Sequence, residues 1–211
     1  MDTRLRHPAA FLLSGPSSCG KTTFTKRLLL NRELMFDKLP EKIIWCYSEF
    51  PREYAELTQH IPQIEFIEGI PDNICDRLKG FKNGVLVIDD QMEKICEGNS
   101  FATEIFTKKS HHVGFSVILL VQNLFYKGLR SISLNCHYVC LFKQVRDRSQ
   151  STTLGKQMFP GNVKFFNEAY MDATREPYSY LFVDCHPATA EEYRLRAQIF
   201  PDETNYCYIK K

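Results

Sequence analysis

One stretch, Gly15-Pro16-Ser17-Ser18-Cys19-Gly20-Lys21-Thr22, constrains this chain more than any other, because it fits the pattern G-x-x-x-x-G-K-[ST]. Before it, Ala10-Phe11-Leu12-Leu13 reads as a short buried strand; after it, Thr23 to Leu30 reads as the start of a helix. In that setting the glycines let the backbone turn tightly, so that successive N–H groups point at an anion. The helix adds its positive N-terminal end. The pattern predicts a phosphate cradle formed by Gly15, Pro16, Ser17, Ser18, Cys19, Gly20, Lys21, Thr22 and Thr23. Lys21 would reach the β- and γ-phosphates of ATP, and the Thr22 hydroxyl would hold Mg²⁺.

A second signal lies farther along. Gly84-Val85-Leu86-Val87-Ile88-Asp89-Asp90 is an apolar run closing on two carboxylates. Asp89 is placed to serve the Mg²⁺ shell, which keeps most of its waters and takes one or two protein oxygens. Asp90, one residue on, is the candidate to orient the attacking water, with Glu93 as the other carboxylate in range. Motor ATPases usually carry Glu at this point, so Asp90 is a departure.

Gly114 to Asn123 is a further buried run, ending in the amides of Gln122 and Asn123. In one division of phosphate-loop proteins an additional strand ending in a polar residue separates the loop strand from the acidic strand. Gln122 stands where that residue is required, able to contact the γ-phosphate or the lytic water. Arg130, Arg146 and Arg148 follow, and one of them could serve a neighbouring subunit's site, Arg146 and Arg130 being the better placed.

Strands are also expected at 42–48, 64–69, 138–142 and 179–184, with an edge strand or cover within 194–209. Helices are expected at 52–60, 71–78, 100–112, 150–159 and 163–173. Continuous apolar strands alternating with helices indicate an α/β domain with a parallel sheet covered on both faces. At 211 residues the chain suits one domain, 1–211, with a motif-bearing core at about 10–160 and C-terminal elements at 161–211.

Other function classes recede. No apolar run approaches the ~20 residues of a membrane span, and nothing like a secretory leader precedes the first strand. Eight scattered cysteines, several inside apolar runs, point to a reducing intracellular compartment rather than secretion. Cys136-His137-x-x-Cys140 is at most half a zinc site, lacking a second pair at suitable spacing. A net charge of +2 gives no whole-molecule field, so contact with nucleic acid would need a local patch; Lys108, Lys109, His111 and His112 form one small basic edge.

Taken together, these segments resemble a family. Gly15–Thr22, Val87-Ile88-Asp89-Asp90, His111-His112-x-x-x-Ser116 leading into Val121-Gln122-Asn123-Leu124-Phe125, Arg130-x-Ile132-x-Leu134-Asn135, Phe142-Lys143-x-x-Arg146-Asp147-x-x-Gln150 and Gln157-x-Phe159-Pro160 are similar to the genome-packaging ATPases of poxviruses and Polinton/adintovirus elements, within the FtsK–HerA superfamily. The resemblance runs from about residue 10 to 160. It implies a RecA-like, mostly parallel central sheet and a homo-oligomeric ring of five or six subunits. It also implies ATP and Mg²⁺ at subunit boundaries, and double-stranded DNA driven into a capsid through its portal vertex. Such a protein works at assembling virions in the host nucleus or cytoplasm, without a membrane partner. Lys21, Thr22, Asp89, Asp90 and Gln122 carry over position by position, while Arg130 and Arg146 compete for the trans arginine. The remaining readings are a superfamily-3-like replicative helicase, a nucleoside kinase, and a nucleotide-binding scaffold with little turnover.

Overall fold

The computed structural model describes residues 3–48, 54–81, 83–91, 95, 105–106 and 114–210. Nine strands in these residues form one sheet: β1 Ala10–Ser14, β2 Lys42–Tyr47, β3 Ile64–Glu68, β4 Gly84–Asp89, β5 Phe115–Val121, β6 Tyr138–Phe142, β7 Tyr180–Asp184, β8 Leu195–Ala197 and β9 Tyr206–Cys207. Their order across the sheet is β3-β2-β4-β5-β1-β6-β7-β8-β9. The pairs from β3 through β6 are all parallel, and β7, β8 and β9 extend the sheet antiparallel. The expected mostly parallel α/β sheet is present.

Apolar runs become central strands here because both faces are covered. Every residue of β1, β5 and β6 is buried, as a strand between two helical layers requires. On one face α1 (Lys21–Leu30) presents Phe24, Leu28 and Leu29 to Phe11, Leu13, Ile118 and Leu120. The other face carries α4 (Ile74–Leu78), α5 (Arg130–Asn135), α6 (Ser149–Met158) and α7 (Val163–Ala173) against Leu12, Leu86, Val117 and Leu119. Between α1 and α4 the chain also forms α2 (Arg32–Met35) and α3 (Ala55–His60).

Some boundaries differ from the sequence reading. The helix expected from Pro71 begins at Ile74, because the chain first makes a turn in which the Ile74 N–H donates to the Pro71 carbonyl at 3.1 Å. The helix expected from 52 starts at Ala55. The one expected at 100–112 falls almost wholly outside the described residues. Helix α5 was not anticipated: it is six residues long and buries only Ile132, too little apolar periodicity to announce a helix.

The C-terminal residues are joined closely to the core. Arg27 of α1 pairs with Asp202 at 2.5 Å and Glu203 at 2.6 Å, and its guanidinium lies 4.1 Å from the centre of the Phe200 ring. Phe24 meets Tyr180 and Phe200 edge-on, the geometry aromatic pairs favour. No helix among the described residues is long and apolar enough to cross a membrane.

Candidate active site

Register brings three strand tips to one level. Ser14 of β1 faces Val121 of β5, and Asp89 of β4 faces Leu120. Gly15, Asp90 and Gln122 therefore leave the same sheet edge side by side, with β5 lying between the loop strand and the acidic strand. The additional strand expected from Gln122 is where the sequence placed it.

The loop after β1 is shaped for close approach. A Cβ on Gly15 would lie 2.6 Å from Cys19 Sγ and 2.7 Å from Phe142 Cβ, so only glycine fits. Gly20 caps α1 at φ 106°, a conformation that side chains disfavour. The first backbone bond into α1 runs from the Phe24 N–H to the Gly20 carbonyl at 2.8 Å. The amides of Lys21, Thr22 and Thr23 precede it, where a helix leaves donors for an anion. Lys21 Nζ donates to the Gly15 and Pro16 carbonyls at 2.6 and 2.9 Å, folded over the loop it would share with a phosphate. Burial pushes the Cys19 thiol above its usual range, against the pull of Lys21, so Cys19 serves as packing.

Thr22 Oγ1 donates to Asp89 Oδ2 at 3.3 Å, and the Tyr54 hydroxyl donates to the same oxygen at 3.2 Å. A hydroxyl and a carboxylate at hydrogen-bond distance beside a phosphate cradle are the hard oxygen donors that suit Mg²⁺. Burial pushes the Asp89 carboxyl up from the usual range. The Tyr54 and Thr22 hydroxyls and the Lys21 charge pull it down, and Asp90 pushes it up again. Because the folded value lies above the unfolded one, the neutral acid favours the fold. That contribution is full below the unfolded value and is lost as pH rises through the folded one. Asp89→Asn, which keeps an acceptor for both hydroxyls, should therefore raise the melting temperature of the free protein near pH 7. The gain should shrink in acid, and a thermal-denaturation series across pH checks both.

Asp90 is exposed and held at φ 52°, uncommon for a residue with a side chain. Gln122 Nε2 donates to its Oδ1 at 3.3 Å. Left-handed backbone of this kind is costly and clusters where function demands it. Lys21, Thr22, Asp89, Asp90 and Gln122 thus converge. Arg130 and Arg146 do not join them: both are exposed and make no ion pair among the described residues. Arg130 borders a cleft of about 460 Å³ with Asn123, Phe125 and Tyr126. Glu93, Lys108, Lys109, His111 and His112 lie outside the described residues. The half zinc site is accounted for by packing: Cys136 Sγ donates to the Ile132 carbonyl, and His137 Nδ1 accepts the Ala10 N–H. No metal-binding cluster occurs among the described residues.

Three side chains escaped the sequence reading. Tyr54 gave no signal, because its partner is 35 residues away and the hydroxyl is read only in space. Gln144, just past β6, donates through Nε2 to the Gln122 carbonyl at 3.2 Å; the rule that picked the amide after β5 would also have picked this one. Gln150, noted only as part of a motif, is buried and accepts the Leu124 N–H at 2.9 Å while donating to Asp147 at 3.0 Å. It ties the segment after Gln122 to α6. Gln150→Ala should leave that buried amide unpaired and cost about 1–3 kcal/mol, measurable by urea unfolding.

Comparison with solved structures bears on the fold. The cytoplasmic domain of the type VII secretion ATPase EccC of Thermomonospora curvata superimposes with a TM-score of 0.57 at 14% identity, covering 90% of this chain. The fold is that of a P-loop ATPase. The chain spans 25% of that EccC chain. A KaiC-like protein of Pyrococcus horikoshii is 15% identical over 96% of this chain and 91% of its own, with a TM-score of 0.49. No family model matches the sequence, and neither does any curated protein.

Proposed function

We propose that the whole chain works as one ATPase domain, a motor that drives double-stranded DNA into the capsid of a virus or virus-like element. The observation that carries the reading is the placement of β5, with Gln122 at its tip, between the phosphate-loop strand and the acidic strand. An amide there senses the terminal phosphate from a strand independent of those that grip and cleave it. Duplex DNA and the capsid come from the sequence resemblance, as does a ring of five or six copies at assembling virions in the host nucleus or cytoplasm.

In this mechanism the loop from Gly15 to Thr23 wraps the phosphates, with backbone N–H groups after Pro16 as the donors, and Lys21 exchanges its two loop carbonyls for β- and γ-oxygens. Thr22 and Asp89 would hold Mg²⁺, which neutralises charge on the phosphate oxygens. Asp90 orients a water for in-line attack on the γ-phosphorus and takes its proton as the bond to the β–γ bridging oxygen breaks. Gln122 positions that water through its contact with Asp90 and passes the phosphate state to the Gln144 and Gln150 side of the fold. Arg130 or Arg146 completes a neighbour's site, where such a cation is worth about 10³–10⁵ in rate.

The test is ATP hydrolysis measured with linear duplex, with single-stranded DNA and without nucleic acid. Stimulation by duplex, falling steeply with salt as phosphate contacts require, supports the motor. Stimulation by single strands alone would favour a helicase, and no turnover under any condition would favour a scaffold. Arg130→Ala or Arg146→Ala protein mixed with Asp90→Asn protein should recover activity for whichever arginine acts in trans. Failure of both mixtures contradicts a trans arginine from these positions.

A further inference from the structure

The phosphate-gripping half of the site leaves open where the nucleoside goes, and the sheet order restricts the answer. Asp89, Asp90 and Gln122 lie on the β4 and β5 side of β1. A triphosphate whose terminal end faces them must run its other end across the start of α1, toward β6 and β7. On that side lies a cavity of about 390 Å³, bordered by Arg27 of α1, Tyr178, Gln198 and Tyr206. It is large enough for a nucleoside and small enough to select one.

Its edge touches the phosphate loop. A Cβ on Gly20 would sit 3.4 Å from Tyr178 Cβ and 3.6 Å from Tyr178 Cδ1. Tyr178 is nonetheless 71% exposed, an aromatic ring left standing in solvent beside the anion cradle. Two of the five non-glycine residues at positive φ among the described residues line this one cavity, Tyr178 at 64° and Gln198 at 54°. Such backbone is costly, and observing it twice around one cavity points to a purpose there. The Gln198 side chain is exposed and makes no hydrogen bond among the described residues, so its amide is available to a ligand. The α1 border of the cavity is held firmly, because Arg27 is locked by Asp202 and Glu203.

We propose that this cavity is the base-recognition site of the nucleotide, with Tyr178 as the stacking face and Gln198 as the group that selects adenine. The inference rests on the ATPase reading above and adds the determinant of which nucleotide is used. An exposed ring beside the phosphates stacks any base. A glutamine amide complements adenine, accepting from N6 and donating to N7, whereas guanine presents two acceptors, O6 and N7, along the same edge. The amide oxygen would then meet an acceptor, and GTP is disfavoured.

Binding of ATP, GTP and inorganic tripolyphosphate, each with Mg²⁺, to wild-type protein and to variants tests this. Tyr178→Gly removes the ring and relaxes the left-handed backbone, so loss of binding would not reflect loss of fold. It should weaken ATP at least about fivefold and leave tripolyphosphate unchanged, while Tyr178→Phe binds ATP like wild type. Gln198→Ala should bring the ATP-to-GTP affinity ratio close to one. ATP binding unaltered in Tyr178→Gly and Gln198→Ala, with both ATP and tripolyphosphate lost in Lys21→Ala, would overturn the base site and leave the ATPase reading standing. Tripolyphosphate weakened together with ATP in Tyr178→Gly would overturn it too, by assigning Tyr178 to the loop. Wild-type protein that binds neither ligand would remove both readings.

Discussion

Lys21→Ala protein should hydrolyse ATP about 10³-fold more slowly than wild type while keeping its melting temperature. The two halves of that expectation have separate causes. Among the described residues Lys21 Nζ bonds only to the Gly15 and Pro16 carbonyls and, at 3.9 Å, Cys19 Sγ, all within the loop itself. Removing it disturbs no packing between elements, and alanine is well tolerated at the first position of a helix. In the reaction, by contrast, the ammonium is the one side-chain cation the loop offers to a transferring phosphoryl group. A fixed charge aimed at developing negative charge in a dry site is worth far more than the same charge in water. Circular dichroism with steady-state kinetics separates the two. A large drop in melting temperature would show that Lys21 is structural, and unchanged turnover would move the phosphate site elsewhere.

Asp90→Asn should lower kcat by about 10²–10⁴ with little change in nucleotide affinity. Asparagine is among the few residues that accept a left-handed backbone, so φ 52° is no obstacle. Its side-chain oxygen can still accept from Gln122 Nε2, so the amide stays in place. What is lost is the capacity to take a proton from water. Because grip on the phosphates is untouched, the effect should fall on kcat rather than KM, and single-turnover kinetics would confirm that chemistry is the slowed step. Normal turnover in this variant would pass the role of base to Glu93, the other carboxylate that the sequence brings into range.

Much of the candidate site's layout was legible in the sequence because it depends on strand ends, and strand ends are where apolar runs stop. Gly15, Asp90 and Gln122 each follow a buried run, and a parallel sheet aligns such ends by construction. The fold was legible for the same reason: unbroken apolar strands can persist only between two helical layers. What stayed hidden depends on contacts without a local pattern. Tyr54 reaches Asp89 from the start of α3, Gln150 reaches back to Leu124, and Tyr178 and Gln198 border one cavity from segments 20 residues apart. Arg130 and Arg146 are a different case. Both are exposed and make no ion pair among the described residues, and the trans role proposed for one of them would be read only between two copies.

The claim on which the rest depends is that Asp90 and Gln122 close around the last phosphate of a nucleotide held by residues 15–23. The most direct measurement is a structure of the Asp90→Asn protein with ATP and Mg²⁺. The account predicts the triphosphate along the start of α1, its γ-phosphorus beside Lys21 and Gln122, with Thr22 and Asp89 toward the metal. A γ-phosphate pointing away from β5, or nucleotide bound outside the glycine-rich turn, would contradict it.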